Sequence, residues 1–499
     1  MLLADVLLAS KLVSPEDMAR AKEHRAQMGG RLEDSIAALQ LVEASVFRKV
    51  LETMPTAPRN IGEAGLGEGD LLGLLLKVLY GGKHDRTSQI SQELRLLTGL
   101  VEELIKLATE RKLVEALGTA DPSDAGSELR IQLTELGRRR AIEAMEVSQY
   151  VGPAPVSLKE FSARVLAQRI SGETVGKERV ARAFSDLVMT PDFIKRLGPG
   201  INSGRAMLLY GPPGNGKTTV AEKIGRIFSD IIYVPHCISV EGQIIKIFDP
   251  SIHEAIARGT DTPRTVTLRR IEFDRRWVPC KRPIVITGGE LTLEMLDLKF
   301  NAHSRFYEAP LHVKALGGTF IIDDFGRQLV QPEDLLNRWI VPLQSRVDFL
   351  KLHTGKSFEI PFDELVIFST NMEPKDLMDP AFLRRIPYKL ETTGPDANGF
   401  CEIFRSVSER ESLPLPDDIF QYVLDALTVR NSYTLACYQP RFIVDQVIAT
   451  CKYEGVAPAY SIERVQFALD NLYTRSAPGS DAEAQPAAEP AMEPQRRAA

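Results

Sequence analysis

The sequence predicts an α/β fold built on a mostly parallel sheet, with helical modules before and after it. Between about Leu158 and Leu390, short apolar runs alternate with helical stretches: "AMLLY", "DIIYVPH", "PIVITG", "TFIID" and "LVIFST". One of these strands feeds a glycine-rich loop that opens a helix, "MLLYGPPGNGKTTVAEKIGRIF". The flanking segments follow a helical period instead. A chain of 499 residues should hold about two to four domains.

Composition narrows the class. Hydrophobic residues make up 44% and charged residues 26%, which is ordinary for a globular protein. The formal net charge of −6 provides no global attraction to nucleic acid or anionic membrane. Five cysteines are scattered without a C-x-x-C pair, which argues against a disulfide framework or zinc site and suits the cytoplasm. The amino-terminal run carries Asp5 and lacks a basic leader, so no signal peptide is expected. No apolar run reaches the ~18–20 residues of a membrane span.

The first 54 residues contain a weak repeat. "LADVLLASKLVSPEDM" from Leu3 aligns with "LEDSIAALQLVEASVF" from Leu32, 29 residues on. Each copy reads as helix, turn, helix. Residues 55–69 form a Pro/Gly-rich linker. From 70 to 149, three helix candidates precede two strands around a polar loop, and a helix closes the segment. That is the winged-helix arrangement. Residues 150–157 are a second linker, with Pro153 and Pro155 blocking helix. The α/β core spans 158–394, and a helical region spans 395–474. The Ala/Pro/Glu-rich tail, 475–499, has too few large apolar residues to fold alone.

The loop Gly211-Pro212-Pro213-Gly214-Asn215-Gly216-Lys217-Thr218, with Thr219 after it, has the spacing of a phosphate cradle. Its glycines let backbone N–H groups curl around phosphate oxygens. Lys217 reaches the β/γ-phosphates, and the Thr218 hydroxyl is placed for Mg²⁺. In "GGTFIIDDFGRQ", an apolar strand ends in two carboxylates. Asp323 fits an acid that holds Mg²⁺, and Asp324 fits the residue that polarises an attacking water. "LVIFSTN" ends in Asn371, suited to hold that water or sense the γ-phosphate, although Asn also ends strands for turn reasons. "DPAFLRR" presents Arg384 and Arg385, and "CYQPRF" places Arg441 near a helix start.

In this order, GPPGNGKT, FIIDD, STN, AFLRR and QPR resemble the AAA+ ATPases, over about residues 158–474. The resemblance assigns Walker A, Walker B, sensor 1, an arginine-finger pair and sensor 2. It implies an αβα nucleotide domain with a helical lid, ATP and Mg²⁺ as cofactors, and a homo-oligomeric ring, usually a hexamer. Two departures stand out. The second Walker B acid is Asp324 where such strands commonly carry Glu. The 106 residues from Lys217 to Asp323 also exceed a minimal core, which places an insertion at about 262–316. "APLHVKALGGTFIIDD" is similar to the Walker B approach of chelatase, MoxR-like and enhancer-binding members. Ile247 and Phe248 either grip a chain from a pore loop or lie buried beneath it.

The amino-terminal repeat resembles the MshEN-type domain of type II secretion and type IV pilus ATPases, whose RLG-start motifs bind cyclic di-GMP. Gln27 and Arg31-Leu32 fit that pattern. Glu33 replaces its Gly, and the first motif reads Leu2-Leu3-Ala4. The expectation is the fold without cyclic di-GMP binding. The candidate recognition helix, Leu97 to Val114, balances Glu102, Glu103 and Glu110 against Lys106, Arg111 and Lys112. Phosphate contacts need net positive charge, so a protein partner is favoured over DNA. The leading reading is an ATP-hydrolysing remodeller with chaperone-like action on a protein partner. The alternatives are a DNA-associated ATPase and a slow nucleotide-dependent switch of the STAND type, although STAND proteins place their winged helix after the core.

Overall fold

The computed structural model describes residues 2–82, 84–119, 128–256, 273–377, 379–430 and 433–472. The expected tail, most of the polar loop between the two hairpin strands and the first part of the expected insertion lie outside the described residues. The chain divides into two compact units, Met1–Thr393 and Gly394–Ala499.

In the first unit, β1 (Met207–Tyr210), β2 (Ile284–Thr287), β3 (Thr319–Ile322), β4 (Leu365–Thr370) and β5 (Tyr388–Glu391) form an all-parallel sheet. Their order is β5-β1-β4-β3-β2. β3 and β4 are buried at every position, as parallel strands covered on both faces must be. Successive side chains alternate between two cores. Met207, Leu209, Ile321, Leu365 and Ile367 join Val220 and Ile224 of the helix Lys217–Arg226. Leu208, Phe320, Ile322, Val366 and Phe368 join Trp339 of the helix Pro332–Ser345. The Trp339 ring meets Phe320 and Phe368 edge-on at 5.3 and 6.1 Å. The α/β class expected from the sequence is therefore present, with helices against both faces of the sheet.

Two strands differ from expectation. Ile231–Pro235 is not part of the parallel sheet. It pairs antiparallel with Trp277–Lys281, and Ile232, Tyr233 and Val234 pack in a separate core with Trp277 and Phe161. An apolar run announces a buried strand but not its partner. β5, in contrast, was hidden by its lysine and glutamate. The extra length between Lys217 and Asp323 contributes to a mixed five-stranded sheet, in which Cys237–Val240, Gln243–Lys246, Lys299–Asn301 and Phe306–Glu308 join Val156–Ser157. This layer begins well before residue 262. Ile247 is buried within it, as the buried alternative has it, whereas Phe248 is half-buried and its ring stacks on His253 at 5.5 Å.

The amino-terminal repeat is visible in the backbone. Leu2–Ala9 and Pro15–Met28 form one helix pair, and Leu32–Ala38 and Ala44–Thr53 form the other. Lys11 and Gln40, 29 residues apart, both take left-handed φ, +56° and +51°. The hydrogen bonds Leu12 N to Leu7 O and Leu41 N to Ile36 O repeat at the same offset. Further on, Glu68–Tyr80, Thr87–Leu94 and Thr98–Glu110 are helices, Val114–Thr119 pairs antiparallel with Leu129–Leu133, and Glu135–Val147 is a helix.

The segments expected as linkers are fastened. Arg276, 1% exposed, makes a two-pronged bond to the Asp274 carboxylate with N···O distances of 2.8–3.1 Å. Its Nη1 donates to Ala64 O at 2.9 Å and to Pro155 O at 3.2 Å. Asp274 N donates to Pro55 O at 3.0 Å. One guanidinium therefore joins both linkers to the accessory layer. The second unit packs Ala397–Arg410, Asp417–Asp425, Tyr438–Glu454 and Ile462–Leu472 around Phe400, Phe404, Val423, Ile443 and Val465.

Removing one partner of a buried ion pair strands the other's charge. Arg276→Ala should therefore cost about 3–5 kcal/mol in urea unfolding of the first unit. A change below ~0.5 kcal/mol, the usual scale of a surface substitution, would show that Arg276 fastens nothing.

Candidate functional site

The five parallel strands present their carboxyl ends together, where open α/β sheets place ligands. The loop from Gly211 to Gly216 leaves β1 there and enters the helix Lys217–Arg226. Gly211 has φ +132°, and a Cβ at this position would stand 2.4 Å from Thr392 O. Thr392 N in turn donates to Tyr210 O at 2.8 Å. Only glycine lets the loop leave β1 so close to the end of β5. Gly214 and Gly216 are also left-handed, at +78° and +76°. Successive turns of this kind leave N–H groups facing one concavity, which is an anion site. Asn215 is buried, while Pro212, Pro213 and Thr219 are exposed.

Lys217 is buried, and its Nζ donates to Gly211 O at 2.8 Å and Pro212 O at 2.9 Å. Burial lowers its pKa, and the Asp324 and Asp323 carboxylates oppose that shift. The Thr218 hydroxyl donates to Asp323 Oδ2 at 2.6 Å. Lys217, Thr218 and the two acids thus converge, although 105 residues separate Thr218 from Asp323.

Asp323 and Asp324 follow β3. A Cβ on Gly318, at the approach to this strand, would lie 2.1 Å from Pro283 O, which explains a glycine there. Asp323 N bonds Thr287 O at 2.8 Å, continuing the ladder to β2. Asp324 then breaks from the strand with φ +48°. Phe325 N donates to Ser369 O and Thr370 Oγ1 donates to Phe325 O, each at 2.7 Å, so the end of β4 holds the turn. Asn371 Nδ2 donates to Asp324 Oδ1 at 3.0 Å. Gln328, which sequence reasoning passed over, bonds this turn at three points. Its position five residues after Asp323, as a side chain that both donates and accepts, was the available signal.

The remaining candidates make other bonds. Arg384 and Arg385 follow the helix Pro380–Leu383, which Asp379 caps through Phe382 N at 2.6 Å. Arg384 is exposed, and Arg385 Nε donates to Gln344 Oε1 at 3.3 Å. Arg441 belongs to the second unit, where it pairs with Glu411 and Asp445, both at 2.9 Å.

The residues present fit a magnesium–nucleotide. A buried ammonium bonded to two loop carbonyls, a hydroxyl bonded to a carboxylate, and a left-handed glycine loop form a donor set for phosphate oxygens and a hard cation.

Residues 396–471 match the model of a domain of unknown function, DUF8689. No curated protein matches the chain. Among solved structures, the chain is similar to NtrX from Brucella abortus, with 14% identity and a TM-score of 0.35, over 69% of this chain and 64% of that one. It thus spans less than two thirds of the NtrX chain. It is also similar to the Holliday junction branch migration motor RuvB of Thermotoga maritima, with 16% identity and a TM-score of 0.31, over 60% and 70% of the two chains. Domain III of the replication initiation protein DnaA of Thermotoga maritima gives 12% identity and a TM-score of 0.33, over 58% and 97%. The α/β fold class rests on the parallel sheet itself, with the glycine loop on β1 and the paired acids after β3.

Lys217→Ala should weaken binding of a fluorescent ATP analogue at least about tenfold, or ~1.4 kcal/mol. Equal affinity in a titration would remove Lys217 from the site.

Proposed function

We propose that the chain is an ATP-hydrolysing AAA+ remodeller that works as a ring on a protein partner. The observation that carries hydrolysis is the convergence of Thr218–Asp323 and Asn371–Asp324 beside Lys217 at the carboxyl ends of the sheet. Lys217 and the loop amides of Gly214 to Thr218 hold the phosphates. Thr218 and Asp323 hold Mg²⁺, which neutralises charge on the transferred phosphoryl group when bound. Asp324 orients the attacking water, and Asn371 fixes the carboxylate that does so. Arg384, exposed and ahead of β5, is the finger offered to a neighbouring subunit, with Arg385 beside it. Arg441 is the sensor 2 arginine that the sequence resemblance assigns.

A protein partner is favoured over DNA by the surroundings of the helix Thr98–Glu110. Its Glu103 accepts Ile61 N at 3.2 Å, and Arg111, just past its end, pairs with Glu68. Ile61 and Leu66 pack against the core of this module. The chain's own linker thus flanks the helix that would enter a groove, and the exposed side chains there include Glu102 and Glu110. Cyclic di-GMP is not an expected ligand of the amino-terminal module.

The test mixes two inactive variants. Arg384→Ala and Lys217→Ala subunits should each hydrolyse ATP at least ~10³-fold more slowly than wild type, and mixing should restore activity, since a finger in trans is worth ~10³–10⁵ in rate. No gain on mixing would exclude the shared ring site. Salt-sensitive DNA binding by the full chain would replace the protein partner with DNA.

A further inference from the structure

We infer that Gln328 is a positioning residue for hydrolysis: by closing the turn after β3, it fixes the direction of the Asp324 carboxylate. This rests on the hydrolytic reading above. Its Nε2 donates to Asp323 O at 3.0 Å and to Asp324 O at 3.2 Å, and its Oε1 accepts Gly326 N at 2.8 Å. The two carbonyls belong to the peptide planes on either side of Asp324. Pinning both planes fixes the φ and ψ of that residue, and with them the direction of its Cα–Cβ bond.

The fixed conformation is an unusual one. Asp324 sits at φ +48°, a region disfavoured for residues with a Cβ. Such a conformation persists where the surroundings over-determine it. Arg327 N donates to Asp324 O at 3.0 Å and closes the turn through the backbone. Gly326, at φ +101°, supplies the next reversal. The turn swings the Asp324 side chain to Asn371 on the neighbouring strand. All three of these Gln328 bonds are to backbone atoms, so its effect on chemistry passes through the backbone of Asp324.

The experiment compares full-length wild type with Gln328→Met, which keeps side-chain length and loses all three bonds. Expected is a fall in kcat of about 10–100-fold with KM for MgATP and ATP-analogue affinity within about twofold. Gln328→Glu, which keeps the Gly326 bond but faces two carbonyls with an anion, should fall as well. In an Asp324→Asn background, Gln328→Met should add no further loss, because the carboxylate it positions is gone. Unchanged kcat in Gln328→Met, or a full additional loss in the Asp324→Asn background, would overturn the inference while leaving the ATPase reading intact. A wild type that binds ATP without turnover would overturn the hydrolytic reading itself, and this inference with it.

Discussion

The buried Arg276–Asp274 pair decides how this chain is organised. An ion pair removed from water survives only when its remaining polar atoms are satisfied. Arg276 meets that condition by spreading its fork over the Asp274 carboxylate and the carbonyls of Ala64 and Pro155. A lysine, as a point charge, could not serve these directions together. The acceptors come from three distant stretches of sequence. The amino-terminal modules are therefore fixed to the accessory layer rather than strung on free linkers. Both modules belong to the same compact unit as the parallel sheet.

That attachment gives the accessory β layer a purpose that its sequence did not announce. Arg276 stands directly before Trp277–Lys281, the second strand of the antiparallel ribbon, and the layer's Cys237 and Ile244 enter the core of the module at 68–147. A movement in the layer is thus transmitted to that module through packed side chains. A packed layer couples two parts of a chain in this way, whereas a flexible linker would not.

The sequence was most legible where one residue type answers one physical demand. Glycines at 211, 214 and 216 announced a loop with backbone angles that other residues avoid. The runs at β1, β3 and β4 announced buried strands because parallel strands covered on both faces read as continuous apolar stretches. The 29-residue repeat was faint in side chains yet is plain in the paired left-handed turns at Lys11 and Gln40. Legibility failed where pairing or polarity decides. Nothing in "IIYVP" distinguishes an antiparallel ribbon from the parallel sheet. β5 is half polar because it lies at an edge. Arg276 looked like one charge among many, since burial is a property of the fold and not of the residue.

The same distinction explains Asp324. Read as a letter, it is a shortened acid, and its carboxylate should fall about one C–C bond, ~1.5 Å, short of a glutamate's. Reach, however, depends on two variables: the length of the side chain and the direction in which the backbone launches it. A strand that ran straight on would launch Asp324 along the pleat. The left-handed turn launches it toward Asn371 instead. Side-chain length and backbone angle are therefore coupled, and a change in one is absorbed by a change in the other only if the new angle is held. The turn is held from three sides: by Ser369 and Thr370 of β4, by Arg327 N, and by Gln328. A lost methylene alone would be a defect. A lost methylene in a turn fastened on both peptide planes is a geometry that the rest of the site has been built to keep.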